Sequence, residues 1–248
     1  MSEARVALVT GSSSGIGAAV ARLLAADGVR VVVNSARSVD AGRALAAELP
    51  GAVYVQADVS DETQATRLVE RTIEEFGRLD ILVNNAGTTR FIPHDDLAAA
   101  SPDVWRDLFD VNVMGVWHTI TAAVPHLKAS GSGCVVNVSS QAGVRPGGSS
   151  IPYAVSKAAV NHMTRLLAKT LGPEVRVNAV APGLIDTPWY DGLDPVAAEG
   201  AKSHVAGVVP LRRVGTADDV ARAVVDLTTA AYMTGEVLLV DGGGHLLG

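Results

Sequence analysis

The chain has 248 residues, of which 48% are hydrophobic and 19% charged, and its formal net charge is -6 at pH 7. This amount of apolar material supports the core of one large α/β domain and excludes a chain that is disordered throughout. The acidic balance and the lack of a long basic run argue against a nucleic-acid-binding surface.

Cysteine and histidine usage argues against an internal disulfide and against a metal site. The single cysteine, Cys134, cannot form a disulfide within the chain, and its apolar neighbours predict a buried core residue, with a reactive thiol as the alternative. The six histidines have no partners at metal-ligand spacing, so no metal is expected.

With no leader and no apolar stretch of about 18 residues, we expect a soluble cytoplasmic protein that does not enter a membrane.

Seven short β-branched segments recur along the chain, and most are followed by an alanine- and leucine-rich segment of helical period. The segments are RVALVTG, VRVVVNS, AVYVQADV, LDILVNNAG, GCVVNVSS, VRVNAVAPG and EVLLVDGG. They are apolar throughout, which is typical of parallel strands that are covered by helices on both faces. The pattern predicts a single-domain α/β fold over residues 1–248, a doubly wound parallel sheet of about seven strands.

One long segment, residues 184–213, has no clear period and contains Pro188, Gly192, Pro195, Gly200 and Pro210. It predicts a loop with short helical pieces. A connection of this length inside a compact domain is usually a lid or a binding loop, so we expect it to contact substrate.

A glycine-rich stretch, VTGSSSGIGAAV, follows the first strand and places Gly11, Gly15 and Gly17 before the first helix. Glycines there allow the backbone to approach a pyrophosphate, and the helix N-terminus offers N–H groups and a positive dipole end. The stretch predicts a Rossmann-type dinucleotide site, with a tight turn that serves packing alone as the alternative.

The end of the second strand bears on which dinucleotide binds. Sites for NAD carry an acidic residue about 20 positions after the glycines. Residues 33–38 contain no acid, whereas Arg37 can meet a 2′-phosphate, with Asn34, Ser35 and Ser38 as further hydrogen-bonding groups. NADP(H) is favoured and NAD(H) stays possible; the alternative for Arg37 is a solvated loop residue.

Taken in order, the glycine trio, the segment Asn84 to Gly87 and the Tyr153-xxx-Lys157 pair resemble the short-chain dehydrogenase/reductase family. The resemblance covers essentially the whole chain and includes Asp58, Pro182-Gly183 and the segment 241–244. Within the family, the ketoreductases of fatty-acid and polyketide type are the most similar.

The resemblance implies four catalytic residues: Asn112, Ser140, Tyr153 and Lys157. Tyr153 is the expected general acid, and Lys157, one helical turn away, is expected to lower its pKa by charge. Ser140 is expected to polarise the substrate oxygen, with Ser139 as the runner-up. Asn112 is expected to hold a water that links the lysine to solvent, or alternatively to satisfy backbone groups in a helix kink.

The resemblance also implies contacts with cofactor and substrate. Cofactor contacts are expected at Gly11, Ser13, Ser14, Gly15, Ile16, Gly17, Ser35, Arg37, Asp58, Val59, Asn84, Asn85, Ala86, Gly87, Asn112, Tyr153, Lys157, Pro182, Gly183, Ile185 and Thr187. Substrate contacts are expected at Ser140, Gln141, Tyr153, Trp189 and Tyr190, with Arg90, Phe91 and His94 shaping substrate choice. Packing of the loop against the body is the alternative role for Trp189 and Tyr190.

The expected partner is a small carbonyl or alcohol substrate. By resemblance, the predicted helix 104–128 packs against a second subunit in a homotetramer or homodimer. The leading hypothesis is an NADP(H)-dependent reductase of a ketone or 3-oxoacyl group. The alternatives are an NAD-dependent alcohol, sugar or steroid dehydrogenase working oxidatively, and a non-catalytic dinucleotide-sensing protein.

Overall fold

A parallel sheet with helices on both faces forms the fold of residues 4–247, which the computed structural model describes. Its strands are β1 (Val6–Val9), β2 (Arg30–Ser35), β3 (Val53–Gln56), β4 (Ile81–Asn84), β5 (Gly133–Val138), β6 (Val175–Pro182) and β9 (Val237–Val240). Their order is β3-β2-β1-β4-β5-β6-β9, and all neighbours are parallel. The seven predicted segments are these seven strands, so the predicted fold class is confirmed.

Eight α-helices connect the strands within the described residues. They are α1 (Gly15–Ala26), α2 (Val39–Glu48), α3 (Glu62–Phe76), α4 (Pro102–Phe109), α5 (Gly115–Ala129), α6 (Ile151–Leu171), α7 (Pro195–Val208) and α8 (Ala217–Thr229). None of the helices in this part of the chain is long and apolar enough to cross a membrane.

The core lies on both faces of the sheet because neighbouring residues of a strand point to opposite sides. Ala7 and Val9 of β1 enter a cluster with α1 and α8. Leu8, between them, enters a second cluster with α3, α5 and α6. Each strand therefore needs apolar residues at consecutive positions, which explains the apolar segments in the sequence.

Local signals in the sequence set the helix ends. The Asp61 carboxylate accepts a hydrogen bond from the Gln64 N–H at the start of α3, and Gly77 ends that helix with a φ of 74°. At the start of α6, the Ser150 hydroxyl accepts from the Tyr153 N–H, and Pro152 lies in the first turn, where its missing N–H costs little. This cap fixes where Tyr153 stands at the head of its helix.

Two segments differ from the sequence prediction. Residues 184–213 contain a 14-residue helix, α7, rather than short helical pieces, and the short strands β7 (Ile185–Asp186) and β8 (Gly215–Thr216) pair at its base. None of the α7 residues is buried, and the half-buried face of the helix consists mainly of alanines, Ala198, Ala201 and Ala206, with Val205, so its apolar signal is weak. The predicted helix 104–128 is interrupted by a π-helical turn at Asp110–Met114, which separates α4 from α5.

The substitution Leu82→Ala tests the core. Leu82 is fully buried in β4, between β1 and β5, so its truncation is expected to cost about 2–5 kcal/mol of unfolding free energy. The measurement is the urea midpoint of the purified variant against the parent protein. Leu97→Ala, at a position that is 70% exposed, is the control and is expected to unfold with the parent. Equal midpoints for both variants would contradict the packing described.

Candidate active site

A cleft of about 630 Å³ opens beyond the carboxyl ends of β1, β2, β4, β5 and β6. It lies where the strand order reverses, between β1 and β4, which is the usual ligand position in such sheets. The predicted residues that line it are Gly11, Ser13, Ser14, Gly15, Ile16, Ser35, Arg37, Asp58, Val59, Asn85, Ala86, Gly87, Ser140, Gln141, Tyr153, Lys157, Pro182, Gly183, Ile185, Thr187, Trp189 and Tyr190. The topology therefore gathers residues that are far apart in sequence into one cavity.

The glycine-rich loop has the geometry of a phosphate cradle. Gly11 and Gly15 have φ values of 58° and 55°, which favour glycine. A Cβ on Gly11 would lie 2.7 Å from the Ala86 Cα, so no larger residue fits beside the end of β4. Ser14, at the N-cap of α1, makes no capping hydrogen bond through its side chain. The backbone N–H groups at the N-terminus of α1 are thus available to bind an anion, and the loop fits the pyrophosphate of a dinucleotide.

Asn85 fastens this loop to the end of β4. Its Nδ2 donates to the carbonyl oxygens of Thr10 and Gly11, at 3.0 and 2.8 Å. The Thr10 hydroxyl accepts from the N–H groups of Asn85 and Ala86, both at 3.1 Å. These bonds hold the two loops on either side of the crevice in one fixed geometry.

Three residues expected at the cofactor do not line the cleft: Gly17, Asn84 and Asn112. Gly17 does not line the cleft: a Cβ there would lie 2.4 Å from the Asn85 Nδ2 and 2.7 Å from the Gly11 carbonyl oxygen, so it lets α1 pack against the loop. Asn84 does not line it either. Its buried side chain donates to Asn137 Oδ1 and accepts from the Thr119 hydroxyl.

The end of β2 contributes both Asn34 and Arg37 to the cleft wall. Asn34 is 1% exposed, and its Oδ1 accepts from the Gly11 N–H at 3.2 Å, so its side chain supports the glycine-rich loop and its contact with a phosphate stays a prediction. The Ser35 hydroxyl lies 2.9 Å from the Tyr54 hydroxyl. Within residues 4–247, the Arg37 side chain forms no hydrogen bond or ion pair, and with Ser38 it lines the cavity.

The residues Ser140, Tyr153 and Lys157 meet at the other end of the cleft. Ser139, the runner-up serine, is 4% exposed, and its hydroxyl donates to the Lys157 carbonyl oxygen at 3.1 Å. The Ser140 side chain lines the cleft together with Tyr153 and lowers the pKa of its phenol. Because the Ser139 hydroxyl is already bonded to backbone, Ser140 is the serine that is available to act together with Tyr153.

Burial controls the protonation of the tyrosine and the lysine. Burial raises the pKa of the Tyr153 phenol to about 12. The neighbouring Ser140 side chain opposes this rise, and Tyr190 adds to it. Burial also lowers the pKa of Lys157 to about 8. The Lys157 Nζ donates to the Val138 carbonyl oxygen at 3.0 Å and lies 5.8 Å from the centroid of the Tyr153 ring. In the protein alone, burial therefore keeps the pKa of Tyr153 above its ordinary value of 10, and the lowering of this pKa by Lys157 stays a prediction.

Asn112 lies behind the cleft rather than in its wall. It is fully buried in the π-helical turn, where its Oδ1 accepts from the Thr88 N–H at 2.8 Å and its Nδ2 donates to the Thr88 carbonyl and the Ser156 hydroxyl, both at 3.0 Å. The alternative role, satisfying backbone groups, is therefore present. A Cβ on Gly87 would lie 3.3 Å from the Asn112 Oδ1 and 3.5 Å from the Lys157 Nζ, so the amide and the amine are close neighbours.

Aromatic side chains surround the space next to Tyr153. The Trp189 ring centroid lies 6.0 Å from that of Tyr153, and the Tyr190 centroid lies 6.1 Å from that of Phe91. Arg90 and His94 do not line the cleft, contrary to expectation. Arg90 is exposed and lies 3.5 Å from Asp107, with which it forms an ion pair.

The wall residues Val111, Gly148 and Ser149 lie outside every segment that the sequence predicted at the cleft. Leu184, Leu193, Ala201 and Val205 also line it and belong to the segment 184–213, which was expected to contact substrate as a whole. Ala201 and Val205 lie on α7, so this helix forms one side of the substrate end. Small and aliphatic residues of this kind carry no chemical signal in a sequence. Across the described part of the chain, no group of three or more His, Cys, Asp or Glu side chains could hold a metal ion.

The chain matches known proteins over nearly its whole length. A family model described as "Enoyl-(Acyl carrier protein) reductase" matches residues 11–245. "Granaticin polyketide synthase putative ketoacyl reductase 2" of Streptomyces violaceoruber is 63% identical, with 99% of this chain and 98% of that protein covered. The 3-oxoacyl-(acyl-carrier-protein) reductase FabG of Thermotoga maritima is 39% identical, with 97% and 98% covered.

Solved structures agree with this assignment. The structure of "a putative short-chain dehydrogenase/reductase from Burkholderia xenovorans" matches with a TM-score of 0.91 and 37% identity, and covers 100% of both chains. The chain therefore belongs to the short-chain dehydrogenase/reductase family, as its motifs predicted. It is an oxidoreductase that acts on C=O and CH–OH groups and uses a nicotinamide dinucleotide.

The buried lysine predicts a specific pH dependence of stability. Because the folded pKa of Lys157 is about 8 and its ordinary value is 10.5, the unfolded chain binds more protons between these two pH values. Stability contributed by this group therefore rises with pH across that window. We expect the urea midpoint of the parent protein, relative to Lys157→Met, to increase between about pH 7 and about pH 10. A difference between the two proteins that stays constant with pH would contradict burial of the charged form.

Proposed function

We propose that this protein is an NADP(H)-dependent ketoreductase that reduces a ketone or 3-oxoacyl group to a secondary alcohol. The observation that carries the proposal is one cavity with Ser140, Tyr153 and Lys157 at one end and an unpaired Arg37 side chain at the other. The ketoacyl and 3-oxoacyl reductases among the relatives supply the substrate class.

The proposed chemistry assigns a step to each side chain. The nicotinamide, when bound, supplies the hydride. The hydroxyls of Ser140 and Tyr153 hold the carbonyl oxygen, and Tyr153 gives its proton to that oxygen as negative charge develops there. A phenol with a pKa of about 12 is fully protonated near neutrality, so it is ready to act as the acid.

Lys157 is proposed to support that proton transfer. Its ammonium lies 5.8 Å from the tyrosine ring, and a positive charge there stabilises the phenolate that remains after the proton has left. A pKa of about 8 keeps much of the amine charged near neutrality and lets it release a proton readily. Asn112, beside Lys157, is proposed to hold the water through which the proton is replaced.

Arg37 is proposed to select NADP(H) by pairing with its 2′-phosphate, with Ser38 nearby in the same wall. An NAD-dependent alcohol, sugar or steroid dehydrogenase would share every catalytic residue. The absence of an acidic residue at the end of β2 argues against that alternative, since such a residue would hold the ribose hydroxyl of NAD.

Assembly and location stay predictions. We propose a homotetramer or homodimer that is built on α5, where Trp117 is 42% exposed and lies one helical turn from Met114, which is 40% exposed. A cytoplasmic location accords with one buried cysteine, Cys134, which is free.

The substitution Tyr153→Phe tests the chemistry. Without the hydroxyl, the proton donor is lost, and kcat for ethyl 3-oxobutanoate is expected to fall by at least ~100-fold. NADPH affinity, measured by tryptophan fluorescence, is expected to stay within about twofold because the ring and Lys157 remain. Tyr232→Phe, at a fully exposed tyrosine, is the control. Turnover that survives in Tyr153→Phe would exclude the proposed acid.

The substitution Arg37→Asp tests the cofactor preference. Removing the cation and adding an acid is expected to weaken NADPH binding relative to NADH by at least ~10-fold, or about 1.4 kcal/mol. Arg43→Asp makes the same charge change at an exposed position of α2 that does not line the cleft, and it is expected to leave the preference unchanged. Equal shifts in both variants would indicate general electrostatics rather than recognition by Arg37.

A further inference from the structure

A second cavity, of about 740 Å³, lies beside the substrate end of the cleft. It is enclosed by the segment that follows Ser140, by the last turns of α7 and by residues 241–247. The apolar side chains of its wall are Ala142, Pro146, Leu184, Val205, Val208, Val209 and Leu247. Neither the proposed proton transfer nor the proposed cofactor contacts use this space.

The two cavities have a wall in common. The residues that line both are Gln141, Ala142, Gly148, Leu184 and Val205. Gly148 has a φ of 98°, and a Cβ there would lie 2.7 Å from the Ala142 Cβ and 3.5 Å from the Tyr153 Cδ1. The shared wall therefore lies beside the ring of the proposed acid, and at Gly148 it carries no side chain. A substrate that is held at Tyr153 can extend past this point into the second cavity.

Gln141 places a polar group at the shared wall. Within residues 4–247 its side-chain amide forms no hydrogen bond. A Cβ on Gly244, which lines the second cavity, would lie 3.3 Å from the Gln141 Oε1, so the amide reaches that side of the wall. A ligand that passes between the two cavities can bond this amide without displacing a protein group.

Arg145 supplies a positive charge to the second cavity. Its Nη1 donates to the Gly244 carbonyl oxygen, and in the described part of the chain the guanidinium has no carboxylate partner. The remaining N–H groups are therefore available to a ligand. A guanidinium beside an apolar wall fits a molecule that has a hydrocarbon body and a carboxylate, which a guanidinium can bind through two parallel hydrogen bonds.

The other titratable groups of this cavity are Asp241 and His204. The Asp241 side chain is 2% exposed; its carboxylate accepts from the N–H groups of Gly243 and His245 and pairs with the His245 ring. Its charge is thus met by its own neighbours. His204 is exposed on α7 and pairs with none of the carboxylates described, so it does not compete with Arg145 for an anion.

We propose that the second cavity is a substrate subsite for oxo acids, in which a hydrocarbon chain separates the reacting ketone from a carboxylate. The ketone is held at Tyr153, the chain passes Gly148, and the carboxylate pairs with Arg145. This inference rests on the proposed function, because Tyr153 must hold the reacting carbonyl. Binding of a remote part of the substrate raises kcat/KM when that binding is kept in the transition state.

The first test compares 9-oxodecanoate with 2-decanone, which has a methyl group in place of the carboxylate. NADPH oxidation is followed for the parent protein, for Arg145→Gln and for Arg165→Gln, which neutralises an exposed arginine of α6 that lines neither cavity. We expect the parent to favour the oxo acid about 10-fold in kcat/KM and Arg145→Gln to lose this preference, because the charge-assisted bond is removed. Arg165→Gln is expected to keep the preference.

The second test fills the proposed subsite. Val208 is 40% exposed and lines the second cavity but not the cleft, so Val208→Trp adds a ring there without entering the core. We expect kcat/KM for 9-oxodecanoate to fall about 10-fold and kcat/KM for the short ethyl 3-oxobutanoate to stay unchanged. Val196→Trp, at an 81% exposed position of α7 that lines neither cavity, is the control and is expected to match the parent with both compounds.

The outcomes separate this inference from the proposed function. If the parent reduces ethyl 3-oxobutanoate but does not favour the oxo acid, or if the preference survives in Arg145→Gln, the subsite is excluded and the ketoreductase proposal stands. The subsite is also excluded if Val208→Trp matches the parent with 9-oxodecanoate. Equal losses with both compounds in Val208→Trp, together with a changed mass in size-exclusion chromatography, would instead indicate an interface between copies of the chain. No NADPH oxidation by the parent with any of the three compounds would overturn both proposals.

Discussion

The parallel pairing of β1 with β4 is the constraint on which the site depends. Both strands end at the same edge, with Val9 opposite Val83, and the chain then leaves them in opposite directions. Hydrogen bonds between Thr10 and Asn85 close the gap between the two loops. The crevice that results is a consequence of topology, and the glycines are required because backbone lies against backbone there.

The catalytic end is held by a second set of bonds, which join α6 to the end of β5. The Ser139 hydroxyl donates to the Lys157 carbonyl oxygen, and the Asn161 amide donates to the Gly143 carbonyl oxygen at 3.0 Å. These bonds bury Tyr153 and Lys157, which opposes charge on both. Burial is unfavourable for the charged amine of Lys157, but the same packing holds Tyr153 and Lys157 in a rigid arrangement. Active sites commonly combine burial with shifted pKa values in this way.

The sequence predicts the sheet and the cleft because they follow from periodicity and glycine spacing. It does not predict which of two adjacent side chains enters the cleft. Asn84 and Asn85 are neighbours, yet the first is buried among polar core groups and the second ties the phosphate loop, because side chains alternate along a strand. The same limit applies to Asn34, whose side chain bonds the Gly11 N–H and so supports the loop. Burial also raises the Tyr153 pKa, and burial depends on packing that no local pattern records.

The residues that carry the chemistry and the residues that contact the substrate lie on parts of the fold with different degrees of burial. Tyr153 and Lys157 stand on a helix with a buried face, whereas none of the residues of α7 is buried. An ion pair of 2.5 Å between Lys202 and Asp186 ties α7 to β7 at the rim of the cleft. Residues of α7 that line the cleft, such as Ala201 and Val205, can therefore vary without loss of the core on either face of the sheet. This separation explains how one arrangement of catalytic residues can serve different carbonyl compounds. Substitutions among the residues that line the substrate end change which compound is recognised, while the reacting carbonyl stays in place.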